Sequence, residues 1–225
     1  MALIETFFNW DILVRSFPIL LQGLGNTLML GVAAIFFGSI FGLLLCFVRL
    51  YAPKPFQYLA VAYIDVFRAL PILVVLILIY YALPFVGISF SSFTSATLAL
   101  SMVLAAFTAE VCRAGIENVP KGQFEAAASL GLPFWSAMRK IILPQAVKVM
   151  IPPLTSNCIS TFKDTALASV VAMPDLLKQA SDTQALMANP TPLIGAAIIY
   201  FVFLWPMVRL VGYLEKRGAR AKTAR

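Results

Sequence analysis

No charged residue occurs between Ser16 and Val48, and the stretch from Leu28 to Val48 is almost wholly apolar. A helix of that length can cross a hydrocarbon core of about 30 Å. Of the whole chain, 61% is hydrophobic and only 12% is charged, whereas about 45–50% of an ordinary soluble domain is apolar. We therefore expect an integral membrane protein with one membrane domain over residues 1–225.

The other apolar segments predict four further membrane helices, which makes the chain an all-α membrane protein with five spans. Pro71 lies inside the second span and predicts a kink there. The fourth span is polar for a membrane helix, so we expect it to be buried in protein or to face a water-filled cavity. Residues 175–191 are polar and are predicted to form a loop. The approximate spans are residues 20–49, 56–83, 94–117, 141–165 and 192–214.

Two glycines of the first span, Gly38 and Gly42, form a small-xxx-small pair. Such pairs let a second helix approach closely. Glycines are also common in membrane helices without that role. The pair therefore predicts a helix contact but leaves scattered glycines as an alternative.

Basic residues are distributed unevenly between the two sides of the predicted membrane domain. Only Arg15 and Lys178 fall on the side of the N-terminus. Because cytoplasmic loops carry an excess of lysine and arginine, the N-terminus is predicted outside and the C-terminus in the cytoplasm. The start of the chain also lacks the pattern of a cleaved signal peptide. The cytoplasmic side holds Arg49, Lys54, Arg113, Lys121, Arg139, Lys140, Lys148, Arg209, Lys216, Arg217, Arg220, Lys222 and Arg225.

Residues 121–146, which follow the third span, form the only long segment that alternates charged and small residues. Pro120 favours a helix start, and Gly131 favours a helix end in the left-handed conformation. A second short helix can begin at Pro133. Periodicity alone leaves open whether this pair lies passively at the membrane surface or docks a partner. Helical spacing places four residues on one side of the first helix: Phe124, Ala127, Ala128 and Gly131.

Several motifs around this segment occur together in one known family. Glu125-Ala126-Ala127, then Gly131, then Leu143-Pro144-Gln145-Ala146, resemble the EAA loop of ATP-binding-cassette importer permeases of the polar amino acid type. The resemblance covers about residues 20–215, and the joint order of its motifs makes it specific. It extends to FRALPIL at Phe67 to Leu73, AEVCRAGIENVPKGQ at Ala109 to Gln123 and FKDTALAS at Phe162 to Ser169.

The resemblance implies the permease subunit of an importer for polar amino acids, with several spans in a bacterial cytoplasmic (inner) membrane. It implies as partners an ATP-binding subunit dimer, an extracytoplasmic solute-binding protein, and a second permease copy or paralogue. In the family, residues corresponding to 120–140 form cytoplasmic coupling helices that seat in a cleft of the ATPase, whose closure drives alternating access. The residues thereby assigned to ATPase coupling are Gln123, Glu125, Ala126, Ala127 and Gly131.

ATP chemistry is not expected in this chain, because it contains no phosphate-cradling GxxxxGK[ST] motif. We therefore predict a subunit that is not an enzyme and that relies on ATP hydrolysis in a partner. Cofactors and metals are not expected either, since the chain has no histidine and its three cysteines lie far apart. The net charge of +7 fits membrane topology better than nucleic-acid binding, which requires solvated basic surface.

Charged residues inside the predicted spans are candidates for a substrate site, because such charges usually face a partner or a cavity. An amino acid carries an ammonium and a carboxylate, so we expect Asp164 to receive the cationic group and Arg68 the carboxylate. The alternative is that Asp65 with Arg68, and Lys163 with Asp164, form structural charge pairs. Lesser candidates for substrate contact are Asn157, Lys163 and Thr165.

A further set of charges recurs on one face at the end of the third span: Glu110, Arg113 and Glu117. At helical spacing these residues can pair with each other at the water boundary. We expect them to have a structural role.

Two other function classes stay open from the residues alone. An ion-coupled secondary carrier could use Asp65, Arg68 and Asp164 as a relay, although no internal repeat is visible. An intramembrane hydrolase would need a nucleophile with a base, and the chain offers only Ser160, Asp164 and Glu110 for this purpose.

The chain departs from the family motifs at two places on the expected substrate path. Ala69-Leu70 replaces the small, hydroxyl-bearing pair of FRGTP, and Ala166 replaces the serine of KDTSL. Both changes remove hydroxyl groups. The sequence therefore leaves open which amino acid is transported, and also whether the permease pairs with itself or with a paralogue.

Overall fold

The computed structural model describes the backbone of residues 6–223 and the side chains of residues 6–213, and all regular elements in that part are helical. Residues 1–5, which belong to the start considered for a signal peptide, and the basic side chains from Lys216 onward lie outside the described residues. The α-helices are α1 (Trp10–Tyr51), α2 (Lys54–Ala69), α3 (Ile72–Ile77), α4 (Ser92–Glu117), α5 (Lys121–Ser129), α6 (Phe134–Ala137), α7 (Leu143–Asp164), α8 (Leu176–Met187) and α9 (Thr191–Thr223). Between them lie π-helical turns at Leu78–Ala82 and Met138–Ile142 and 3₁₀ helices at Leu83–Val86 and Thr165–Val171.

Within the described residues, α1, α4 and α9 up to Tyr213 are long and apolar enough to cross a membrane. The helix α2 meets the same criterion only together with Ile72–Val86, from which it is bent by 105°. The polar helix α7 does not meet it. The described part of the chain therefore offers three candidate spans, or four if the bent pair counts as one.

The bend between α2 and α3 arises at Leu70 and Pro71. Proline has no amide hydrogen, and it keeps the preceding residue out of the helical conformation. Leu70 accordingly has a ψ of 134° and Pro71 a ψ of 135°, both extended values. The kink predicted at Pro71 is confirmed, and it is a complete break in the helix.

The most extensive helix contact in the described part of the chain joins α1 and α4, and it includes the glycines predicted to permit it. A Cβ atom added at Gly42 would lie 2.7 Å from the backbone oxygen of Ala105 and 2.6 Å from Cβ of Thr108. A Cβ atom added at Gly38 would lie 3.0 Å from the backbone oxygen of Ser101. Real Cβ atoms hardly ever come as close as those at Gly42, so this position requires glycine at the present separation of the helices, and Gly38 has almost no room for a side chain. The small-residue interpretation is confirmed.

The prediction of a loop over residues 175–191 is wrong, because α8 occupies most of that segment. Its buried residues Leu176, Ala180 and Thr183 recur at helical spacing and face the rest of the chain. The segment was predicted to be a loop because its polar composition was given more weight than this periodicity.

Asp175 begins α8 as its N-cap residue and is fully buried. Its carboxylate accepts hydrogen bonds from the backbone N–H groups of Leu177 and Lys178, at 3.4 and 3.0 Å. Burial raises the pKa of this carboxyl group to about 6, against the lowering effect of those hydrogen bonds. The hydroxyl of Thr27 accepts a further hydrogen bond from the N–H of Leu176 at 3.0 Å. Asp175 and Thr27 therefore fix the start of α8 against α1.

Within the described residues, two large apolar cores and a smaller one, in which α8 and α9 pack on α1, hold the helices together. The first joins α1, α2 and α4 to the π-helical turn Met138–Ile142 and the start of α7. The second joins α1, α3 and α4 to the 3₁₀ helix Thr165–Val171. Phe124 of α5 packs on the first core, and a cavity lined by α2, α3, α4 and α7 lies beside the second.

Candidate functional site

The helices α5 and α6 form a small projection, the knob (residues 120–137), whose turn is set by Gly131. This glycine has a φ of +69°, the left-handed conformation predicted for it. The N–H groups of Gly131 and Leu132 donate to the carbonyl oxygens of Ala128 and Ala127, at 2.9 and 3.1 Å, which is the pattern of a Schellman helix end. The second helix follows with Pro133 as its N-cap residue, as predicted.

One side of the knob is anchored in the first apolar core. Ala127 is only 1% exposed, and Phe124 packs on the core at partial burial. The ring of Phe134 in α6 contacts that of Tyr51 at the end of α1, with centroids 5.2 Å apart. The knob is therefore packed against the long helices of the chain.

The other side of the knob faces away from the chain. Leu130 is 77% exposed and Trp135 is 69% exposed. Of the four residues predicted to share one side of the first helix, Phe124 and Ala127 are packed against the chain, whereas Ala128 and Gly131 are exposed. The helix α5 ends at Ser129, so Gly131 no longer follows its periodicity. Among the predicted coupling residues, Gln123, Glu125, Ala126 and Gly131 are exposed, whereas Ala127 is buried.

A cavity of about 360 Å³ lies beside the break between α2 and α3. Arg68 reaches it from the last turn of α2, and Asn157 and Asp164 reach it from α7. The structure thus brings Arg68 together with two predicted substrate-site residues, Asn157 and Asp164, that are far from it in sequence. The remaining lining is mostly apolar and comprises Leu70, Pro71, Ile72, Leu100, Val103, Leu104, Phe107, Ser160 and Thr161.

The structure does not bring the other two predicted substrate-site residues to the cavity. Lys163 is exposed and is absent from the lining. Thr165 is fully buried, and its hydroxyl donates to the carbonyl oxygen of Phe162 at 2.7 Å. Ser160 and Thr161 line the cavity instead. Their spacing of three and four residues from Asn157 and Asp164 on one helix is the signal that could have identified them.

Five charged residues at the ends of α1, α2 and α4 form a second polar feature, the charge cluster. At its centre, an oxygen of Glu110 accepts a hydrogen bond from Arg49 at 2.6 Å and lies 3.9 Å from Arg68. Arg113 pairs with both Glu110 and Glu117. The predicted pairing within α4 is confirmed, and the contributions of Arg49 and Arg68 are additional.

The two structural charge pairs considered from the sequence, Asp65 with Arg68 and Lys163 with Asp164, are not formed in the part of the chain that the structure describes. Arg68 pairs with Glu110, and its guanidinium lies over the ring of Phe107, 5.8 Å from the centroid. Within the described side chains, no ion pair joins Asp65 to Arg68 or Lys163 to Asp164. The charges that face the cavity are therefore not neutralised by the partners expected from the sequence.

Comparison with known families gives one match over most of the chain. Residues 34–220 match the model of the binding-protein-dependent transport system inner membrane component. The chain belongs to this family. It is therefore a permease subunit of an ATP-binding-cassette importer, an inner-membrane component that works with an ATP-binding subunit and a substrate-binding protein.

Individual relatives of this permease agree with the assignment. The probable amino-acid ABC transporter permease protein YckA of Bacillus subtilis (strain 168) is 39% identical over 78% of each chain. The glutamate/aspartate import permease protein GltK of Escherichia coli O157:H7 is 37% identical over 94% of this chain and 99% of its own. A chain from a crystal structure described as an amino acid ABC transporter with histidines superimposes with a TM-score of 0.84 and is 38% identical, covering 91% of this chain and 96% of that one.

Membership in this family settles the choice between function classes. The permease is a non-enzymatic membrane subunit, and ATP is hydrolysed in a separate subunit. Neither the ion-coupled secondary carrier nor the intramembrane hydrolase is favoured by these matches.

Proposed function

We propose that this permease carries a polar amino acid through the 360 Å³ cavity, with Arg68 facing the substrate carboxylate and Asp164 facing its ammonium group. The observation that carries the proposal is the joint presence of one base and one acid, from different helices, on a mostly apolar lining. A few convergent polar groups on an apolar wall are typical of small-molecule sites. The names of the relatives, which refer to amino acids, support this substrate class.

Asn157 supplies a neutral amide on α7, two turns before Asp164, that is suited to hydrogen bonding with either end of an amino acid. Ser160 and Thr161 add hydroxyl groups on the same wall. These three residues restore the hydrogen-bonding capacity that Ala69-Leu70 and Ala166 lack. We do not assign Lys163 or Thr165 to substrate contact.

The exposed side of the knob is the proposed contact with the ATPase. Gln123, Glu125, Ala126 and Gly131 form its polar and small-residue part, beside the exposed Leu130. Ala127 contributes by holding α5 on the apolar core. Closure of an ATPase dimer would draw two such knobs together, one from each permease in a pair of identical or related chains, and alternate the access of the cavity.

The membrane arrangement that we propose has a single domain with five spans: α1, the bent segment from α2 to Val86, α4, α7 and α9. The polar helix α7 is proposed to be enclosed by protein, which its packing on the first apolar core and its contacts with α1, α4 and α9 support. The N-terminus lies outside, and the knob and the C-terminus lie in the cytoplasm, as the excess of basic residues on that side indicates.

Cysteine labelling tests this orientation. In a variant without the native cysteines, a cysteine at the exposed Ser89 is expected to react with a membrane-impermeant thiol reagent added to intact cells. A cysteine at the exposed Ser129 is expected to react only after the cells are permeabilised. The reverse pattern would show that the assignment of the two sides is wrong.

Uptake measurements test the substrate site. Asp164→Asn and Arg68→Gln each remove one charge from the cavity and are expected to lower kcat/KM for uptake roughly ten- to hundredfold, the loss of a hydrogen bond to a charged group. The variants are assembled with wild-type ATPase and binding protein in vesicles. Complex assembly and basal ATP hydrolysis are expected to persist.

Asp65→Asn is the matched control for these variants. Asp65 is an exposed acid one turn before Arg68, and it does not line the cavity. Its uptake is expected to equal that of the wild type. Unchanged uptake in Asp164→Asn and Arg68→Gln, or a failure of both to assemble, would count against a substrate site at these residues.

A further inference from the structure

Three arginines converge on Glu110, but they are held with unequal strength. Arg49 donates a hydrogen bond to the carboxylate at 2.6 Å, and Arg113 donates hydrogen bonds through two of its nitrogens. Arg68 lies 3.9 Å from the same carboxylate, beyond hydrogen-bond distance. Arg68 is therefore the arginine that Glu110 binds least firmly.

Arg68 is also the member of the charge cluster that reaches the cavity. Its side chain is 41% exposed, compared with 21% for Arg49 and 23% for Arg113. It lines the cavity together with Phe107, on whose ring its guanidinium lies. Arg68 thus stands between two possible anionic partners, Glu110 on one side and a ligand in the cavity on the other.

We propose that Glu110 is a competing counter-ion for Arg68 and thereby sets how strongly the cavity holds a carboxylate. This inference rests on the proposed contact between Arg68 and the substrate carboxylate. In the empty cavity, Glu110 partly satisfies the charge of Arg68. A carboxylate that enters takes over Arg68, and Glu110 keeps Arg49 and Arg113 as partners, so its own charge is not left unpaired.

The exchange is inexpensive because the contact between Glu110 and Arg68 is long and partly exposed, and ion pairs of that kind are weak. Competition by Glu110 also lowers the affinity of the cavity for the substrate. A low affinity helps an importer to release its substrate. Glu110 is thus a specificity-determining residue that does not line the cavity itself.

Calorimetry on the purified complex of permease and ATPase subunits, without binding protein, tests the inference with glutamine and glutamine methyl ester as probes. Glu110→Gln removes the competing charge and is expected to tighten glutamine binding about two- to fivefold, the strength of an exposed ion pair. Binding of the methyl ester, which lacks the carboxylate charge, is not expected to tighten.

Glu117→Gln is the matched control, because Glu117 lies on the same helix and pairs with Arg113 but not with Arg68. Its glutamine affinity is expected to equal that of the wild type. Glu110→Asp covers the case in which Glu110→Gln does not fold. It keeps a charge for Arg49 and Arg113 but draws it back from Arg68, so glutamine binding should tighten by a smaller factor.

The outcomes separate this inference from the proposed function. If wild-type binding depends on the carboxylate but no Glu110 variant changes it, the competition is refuted and the substrate site stands. An equal tightening in Glu117→Gln refutes it as well. If the wild type binds glutamine and its methyl ester equally, Arg68 does not hold the carboxylate, and both proposals fail together.

Discussion

Replacing Gly131 with arginine is expected to lower the ATP hydrolysis that the loaded binding protein stimulates at least tenfold, while the membrane domain still folds. Gly131 is exposed, and a Cβ atom added there would meet nothing within 4 Å in its own chain. The arginine side chain would therefore project into the surface proposed to contact the ATPase. ATP hydrolysis and copurification of the ATPase subunit measure the effect in the reconstituted complex.

Backbone strain needs a separate control, because φ at Gly131 is +69° and most side chains resist that conformation. Asparagine tolerates it best, so Gly131→Asn is expected to keep most of the stimulated hydrolysis. Glu125→Lys, at another exposed position of the knob, is expected to weaken docking only in part. Normal stimulation in Gly131→Arg would be incompatible with a docking role for this part of the knob.

Replacing Gly42 with leucine is expected to prevent the stable packing of α1 on α4. Most of the folded permease should then be lost. A single Cβ atom there would already lie 2.6 Å from Cβ of Thr108 and 2.7 Å from a backbone oxygen of α4. Backbone cannot rotate away as a flexible side chain can, so the helices must separate. Overpacking of a core typically lowers the free energy of unfolding by about 1–3 kcal/mol. We expect Gly42→Leu to lower it by the upper value of this range or more.

Gly25→Leu is the matched control, since Gly25 lies in the same helix but has nothing within 4 Å of an added Cβ atom. Yield of monodisperse protein and Tm in detergent are measured for both variants. Gly25→Leu should resemble the wild type in both. A Tm for Gly42→Leu equal to that of Gly25→Leu would mean that the two helices do not depend on this contact.

The features that the sequence predicted correctly follow from local chemistry. Apolar length identifies α1, α4 and α9, because a helix must be long and apolar to cross lipid. The turn at Gly131 follows from the freedom of glycine at positive φ, and the break at Pro71 follows from the missing amide hydrogen. The contact at Gly42 follows from small-residue spacing. Each of these rests on a few neighbouring residues.

The features that were missed depend on residues brought together from distant parts of the chain. Arg68 pairs with Glu110 on another helix, and no spacing rule connects them. The lining of the cavity combines residues of α2, α3, α4 and α7, and the sequence predicted only Arg68, Asn157 and Asp164 among them. The helix α8 was missed for a different reason, since its periodicity was present but its polar composition was given more weight.

Because α1 is long, we expect its position in the membrane to depend on the thickness of the bilayer. A helix of 42 residues is about 63 Å long at 1.5 Å per residue, whereas a bilayer with its headgroups is about 40–45 Å thick. Tilt alone would have to reach about 45°, beyond the usual range of membrane helices. We therefore expect the first turns of α1, with the exposed Trp10 and Phe17, to lie in the headgroup layer or beyond it. Lipids with shorter chains would expose more of this aromatic end, so hydrophobic mismatch acts on the same helix that packs on α4.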